Sequence, residues 1–173
     1  MLDESDAQVL RATQGQPATH AIVPFGCGSI AQAVTQHFKS ATREREGTPA
    51  AAILAVEPDT AACLRVSLEN GKMMTVTTKD SIMCGMNCGT VSTTAWPVLR
   101  LGVDVTVVVR DSESHSAVKT LEELGIKAGP CGAATLAALK RICESGAGSL
   151  GFSEKSVVVL YCTEGQREYE VPA

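Results

Sequence analysis

The stretch His20-Ala21-Ile22-Val23-Pro24-Phe25-Gly26-Cys27-Gly28-Ser29-Ile30 runs from unbroken apolar residues directly into a glycine turn. A short apolar run of this kind predicts a buried strand, and the helical spacing from Ile30 to Ser40 predicts that a helix follows the turn. The same grammar recurs along the chain. Ala51 to Val56 reads as a second buried strand ending at Glu57-Pro58, before a helix over Ala61 to Glu69 with Asp59 or Thr60 as its cap and Asn70-Gly71 as its stop. Val103 to Val109 is a strongly β-branched strand, and Asp111 or Ser112 opens a helix that reaches about Leu124. An alanine-rich helix, Cys131 to Cys143, opens at Gly129-Pro130 and precedes a last strand at Val157 to Cys162. Continuous Val/Ile/Leu strands are covered on both faces, as in parallel sheets with crossover helices. The expected fold is α/β: a three-layer sandwich around a mostly parallel sheet of about four strands, forming one domain over residues 1–173.

The remaining segments are less regular. Leu2 to Gln14 predicts an amphipathic helix with Val9 and Leu10 inward, and Ala41 to Pro49 a surface loop. Met73 to Thr78 reads as a short strand or extended segment. Ser81 to Cys88 and Ser92 to Leu101 read as helices, the second with Pro97 in its first turn. Gly146 to Gly151 is a loop, and Glu164 to Ala173 a polar surface tail.

Composition excludes several function classes. The chain has 173 residues, 45% hydrophobic and 20% charged, which suits a globular core and not disorder. Lys plus Arg is 15 against 19 for Asp plus Glu, and aromatics are 3%, so neither phosphate neutralisation nor base stacking supports a nucleic-acid partner. Every apolar run is shorter than the ~20 residues of a membrane helix. Met1-Leu-Asp-Glu4 has no feature of a secretory signal. Seven cysteines, an odd number, read as reduced thiols of a cytoplasmic protein. Cys84 and Cys88 have no second ligand pair at matching spacing and the three histidines are scattered, so no metal site is expected.

Two turns carry potential chemistry. Gly26-Cys27-Gly28-Ser29 opens a helix, where free backbone N–H groups and the helix dipole favour an anion such as phosphate. The competing reading is a strand–helix turn that uses glycine for geometry alone. Neither a Walker loop nor a full Gly-x-Gly-x-x-Gly is present. Cys131, at the start of the alanine-rich helix, reads as a nucleophile, a neutral hydrogen-bond partner or a small buried residue. Glu57 is either a ligand contact or a cap for the helix after it. The absence of Gly-x-Ser-x-Gly excludes the serine-hydrolase elbow.

Taken in order, these segments resemble the fold-type II pyridoxal-phosphate enzymes, the tryptophan synthase β-like superfamily. Ile22-Val-Pro-Phe-Gly-Cys-Gly-Ser-Ile30 is similar to the family's glycine loop, and Ala55-Val-Glu-Pro58 with Ala62-Cys-Leu64 to its Val-Glu-Pro strand end. Ser81-Ile-Met-Cys-Gly-Met-Asn-Cys-Gly89, Ala95-Trp96 and Thr163-Glu-Gly165 are most similar to diaminopropionate ammonia-lyase. Gly129-Pro-Cys-Gly-Ala-Ala134 is similar to the helix start whose Ser or Cys faces the pyridine nitrogen. The resemblance implies pyridoxal phosphate as cofactor and α,β-elimination on an amino acid such as diaminopropionate, serine or threonine. It places Gly26, Cys27, Gly28 and Ser29 at the cofactor phosphate and Cys131 opposite the ring nitrogen. It also implies that only the C-terminal part of the family unit is present, since the family's Schiff-base lysine precedes the glycine loop. Lys39, Lys72, Lys79, Lys119, Lys127, Lys140 and Lys155 all follow it. The leading expectation is a lyase-like chain with a partial cofactor site, inactive alone, that self-associates or accepts a complementing N-terminal half. Two other readings stand beside it: a non-catalytic binding or oligomerisation module, and an unrelated nucleotide-binding α/β protein.

Overall fold

The four apolar runs pair as parallel strands. In a computed structural model describing residues 1–45, 47–145 and 151–172, they form β1 (His20–Pro24), β2 (Ala52–Pro58), β3 (Val105–Val109) and β4 (Val158–Leu160). Their order across the sheet is β3-β2-β1-β4. Register runs from His20 opposite Ala52 to Pro24 opposite Val56, from Leu54 opposite Val105 to Pro58 opposite Val109, and from His20 opposite Val158 to Ile22 opposite Leu160.

Alternation along the strands divides the apolar residues between two faces. Ala21, Val23, Ile53 and Ala55 pack with α2 (Ser29–Phe38), α4 (Cys63–Glu69) and α5 (Trp96–Gly102), and α1 (Leu2–Ala12) adds Leu2 and Val9 at the edge. Ile22, Leu54, Val56, Val107 and Val109 pack on the other face with α6 (Asp111–Glu123) and α7 (Pro130–Glu144). The expected three-layer α/β sandwich is therefore present. An order of 3-2-1-4 reverses direction at β1, and open parallel sheets bind ligands beyond the carboxyl ends of the strands at such a reversal. The turn after β1 and the segment after β4 both lie there.

Several local expectations are corrected. The segment from Ala41 begins with a short helix, α3 (Ala41–Arg45), because Arg43 reaches Asp6 of α1 and stacks 4.9 Å from the Phe38 ring centroid. Leu10 is 41% exposed, and only Val9 of the pair turns inward. Ser81 to Cys88 forms a single 3₁₀ turn, Cys84–Met86, and α5 starts at Trp96 with Pro97 in its first turn. Met73 to Thr78 contributes one bridge, Thr75 to Thr90. α6 starts at Asp111, but neither Asp111 nor Ser112 caps it: Arg110 holds the cap position, and its N–H donates to Glu113 Oε2 at 2.7 Å. The loop expected at Gly146 to Gly151 lies outside the described residues except for Gly151. Among the described residues no helix is long and apolar enough to cross a membrane.

Candidate functional site

The turn from Gly26 to Ser29 is built to expose its main chain. Gly28 caps α2 with φ +111°, and a Cβ there would meet Leu99 Cδ1 and Phe25 Cε2 at 3.0 Å and Ala95 Cβ at 3.2 Å. Its Cα therefore faces the core, while Cys27 and Ser29 on either side are exposed. Cys27 O accepts from Ser92 N–H at 2.9 Å, which ties the turn to the approach of α5. Among the described residues no oxygen accepts from the N–H groups of Gly28, Ser29, Ile30 or Ala31. These are the open donors of a helix start, at the positive end of its dipole. The Ser29 hydroxyl, 3.5 Å from the Cys27 thiol, lowers the thiol's pKa, and the Ser29 N–H adds to this effect.

Gly26 makes the second contact. A Cβ on it would lie 2.9 Å from Gly85 O, so the turn rests directly on the Cys84–Met86 backbone. Gly85 in turn rests on Cys131, whose Sγ would lie 3.3 Å from a Cβ at Gly85. The two sequence-predicted parts of the site, Gly26 to Ser29 and Cys131, are thus bridged by one 3₁₀ turn. Asp111 anchors the approach to that turn, accepting from Ser81 Oγ at 2.6 Å and from Ile82 N–H at 3.0 Å. Arg167 donates to Ile82 O from the other side.

Cys131 is 6% exposed, and burial, followed by the Glu164 carboxylate, pushes its thiol up to about 11. Glu57 caps α4 from the end of β2: Leu64 N–H donates to its Oε1 at 2.7 Å and Arg65 N–H to its Oε2 at 2.9 Å. Asp59 and Thr60 do not take that role. Cys63, at the start of α4, is buried 4.0 Å from Gly26 O.

The surface-tail reading of Glu164 to Ala173 is corrected, although the resemblance singles out Thr163-Glu-Gly165. The segment is no loose tail. Glu164 Oε2 accepts from Cys131 N–H at 2.6 Å, Glu164 O accepts from Gly129 N–H at 3.0 Å, and Gly165 bridges Ala128. Arg167 Nε donates to Glu164 Oε1 at 2.9 Å, and Tyr169 Oη lies 2.8 Å from His115 Nδ1 of α6. The available signal was the glycine spacing. A Cβ at Gly129 would lie 2.5 Å from Glu164 Oε2, and one at Gly132 would lie 2.7 Å from Cys162 Sγ and 2.8 Å from Glu164 O. Gly132→Ala in an open helix would stabilise by up to about 1 kcal/mol. Here the added methyl meets backbone, and we expect a loss of about 2 kcal/mol instead, read as a lower urea midpoint. A rise in the midpoint would contradict this packing.

The family model described as pyridoxal-phosphate dependent enzyme matches residues 7–163. A biosynthetic L-threonine dehydratase of Corynebacterium glutamicum is 25% identical over 159 residues, covering 90% of this chain and 33% of the dehydratase. The structure of diaminopropionate ammonia lyase from Escherichia coli superposes with a TM-score of 0.81 at 25% identity, covering 95% of this chain and 43% of the lyase. Maize serine racemase gives a TM-score of 0.74 at 25% identity, over 94% of this chain and 47% of the racemase. The chain spans about a third to a half of the length of these relatives.

Proposed function

The chain belongs to the pyridoxal-phosphate dependent enzyme family, and from that premise we propose that it carries the phosphate and ring-end portion of an amino-acid lyase site. The reaction class is α,β-elimination of the dehydratase or ammonia-lyase kind, on a substrate such as diaminopropionate, serine or threonine. In this reading the lysine that bears the cofactor comes from outside these 173 residues, and the chain alone does not turn over.

The observation that carries the reading is the continuous contact from Gly26 through Gly85 to Cys131, with open N–H donors at one end. The residues present fit the phosphate of the cofactor. Gly26 and Gly28 let the turn seat against the Cys84–Met86 backbone and the core, and the N–H groups of Gly28 to Ala31 point to one exposed helix start. The Ser29 and Cys27 side chains add polar contacts there. At the other end the Cys131 thiol is a weak, neutral partner for a ring nitrogen. Pyridoxal phosphate, when bound, supplies the electron sink that lets the α-proton and the β-substituent leave. The chain's own part is to hold the phosphate, orient the ring and keep its nitrogen end uncharged.

Among the described residues β4 is paired only with β1. An open strand edge invites a further strand, so the reading includes self-association or docking of a complementing N-terminal half there. We expect the 173-residue chain to bind added pyridoxal phosphate weakly, with a Kd on the order of 0.1–1 mM by calorimetry. No absorbance band of a lysine-linked cofactor should appear, and no ammonia should be released from the three amino acids. Robust turnover by this chain alone would overturn the reading. Tighter binding of a nucleotide than of pyridoxal phosphate would overturn it as well.

A further inference from the structure

We infer that Glu164 is a positioning residue for the ring end of this site: one carboxylate oxygen takes the Cys131 N–H, the other takes Arg167, and together they lock the start of α7 and set a negative charge beside the Cys131 thiol. The inference rests on the proposed function and deepens it.

The geometry is specific. Two glycines one helical turn apart, Gly129 and Gly132, admit the Glu164 side chain and main chain at distances no Cβ would allow. The carboxylate therefore occupies the positive end of a 15-residue helix, where an anion is stabilised. A thiolate at Cys131 would compete for that same end with a charge already in place. The groups facing Cys131 are Cys84 and the Gly85 N–H from the 3₁₀ turn, and Glu164 and Arg167 from the segment after β4. On the α6 side, Ser114 spends its hydroxyl on Pro130 O at 2.7 Å. Glu164 is the single carboxylate in this set. The arrangement opposes the nucleophile reading of Cys131 and holds its thiol in the protonated, neutral form.

The test is peptide-resolved alkylation of the 173-residue chain by iodoacetamide from pH 7 to about 11.5, a range that spans the Cys131 midpoint. Exposed Cys143 of α7 serves as internal reference. In Glu164→Gln, Cys131 should react about tenfold faster at pH 8.5 and its midpoint should fall by about one pH unit. In Arg167→Met, which leaves the Glu164 charge unscreened, Cys131 should react more slowly than in the parent chain. A rate raised by the same factor at every pH up to about 11.5 in Glu164→Gln, with the midpoint unmoved, would show mere loosening of α7 and overturn the inference. An unchanged Cys131 profile in both variants would overturn it too. A parallel arm adds 5 mM pyridoxal phosphate, about five times the weakest Kd expected, and follows protection of Cys27. Protection with no shift in the variants overturns the positioning role and leaves the site reading intact. A shift without protection supports the role of Glu164 at Cys131 and removes the site reading.

Discussion

Replacing Glu57 by Ala is expected to lower the unfolding free energy by about 4 kcal/mol. Two backbone donors, the buried N–H of Leu64 and the part-buried N–H of Arg65, lose their acceptor. Each such orphan costs about 1–3 kcal/mol, and the vacated volume adds to that. Against a typical total of roughly 5–15 kcal/mol, the variant would sit near the edge of folding. Glu57→Gln should cost about half as much, because its amide oxygen can serve one N–H while its amino group opposes the other. Glu57 should also leave a pH signature. It is fully buried, and burial pushes its carboxyl from the ordinary 4.5 up to about 7, with the two N–H bonds acting in the opposite direction. Between those values the folded chain holds a proton that the unfolded chain has released. Stability therefore falls as pH rises through that window, by about 3 kcal/mol in all, and the contribution is fully present only below pH 4.5. Urea midpoints of the parent chain and Glu57→Gln at pH 5 and pH 8 check both parts. A parent slope that persists in Glu57→Gln would assign the titration to another group.

What the residues revealed in advance was decided by unbroken apolar runs and by local turn chemistry. Ile22-Val23, Ile53-Leu54 and Val105 to Val109 could only be strands covered on both faces, and the glycine turn after β1 could only open a helix. Where the reading failed, a contact from far along the chain overrode a local preference. Helix-cap rules look at the residues just before the first turn and so offered Asp59 or Thr60, while the cap reading of Glu57 is the one the structure bears out. The acceptor came from Glu57, reaching across from the strand end. Ser81 to Cys88 has helical spacing, but Asp111 and Arg167 hold its approach extended and Gly85 is pressed between two neighbours. The small residues from Gly129 to Gly132, by resemblance a helix start that faces the cofactor ring, leave room for a close neighbour. Much of that room is filled by the chain's own Cys162 to Gly165, a polar segment whose composition alone describes a surface tail. The glycine turn after β1 and its open helix start were thus legible from neighbours in sequence. The start of α7 depends on Glu164 and Arg167, 33 residues or more beyond Cys131, and the spacing of Gly129 and Gly132 is the one local trace of that meeting.

Gly28→Ala should produce the clearest double loss. The backbone at this position has φ +111°, a region that L side chains rarely adopt, at a cost of about 1–2 kcal/mol. The added Cβ would also press on Leu99, Phe25 and Ala95, all fully buried, and crowding of a packed core costs about 1–3 kcal/mol. The sum predicts a destabilisation of about 3–4 kcal/mol. Gly71→Ala separates the two contributions, because φ is +67° there and nothing lies within 4 Å of the new Cβ. It should cost about 1 kcal/mol from backbone strain alone. The functional consequence is independent of this sum. Relief of the clash requires the turn to move away from α5, which breaks the bond from Ser92 N–H to Cys27 O and scatters the donors at the start of α2. Binding of pyridoxal phosphate should then fall below detection even at low temperature where the variant remains folded, while Gly71→Ala binds as the parent does. If Gly28→Ala unfolds within 1 kcal/mol of the parent and still protects Cys27 on adding the cofactor, the core-facing cradle is not what holds the phosphate.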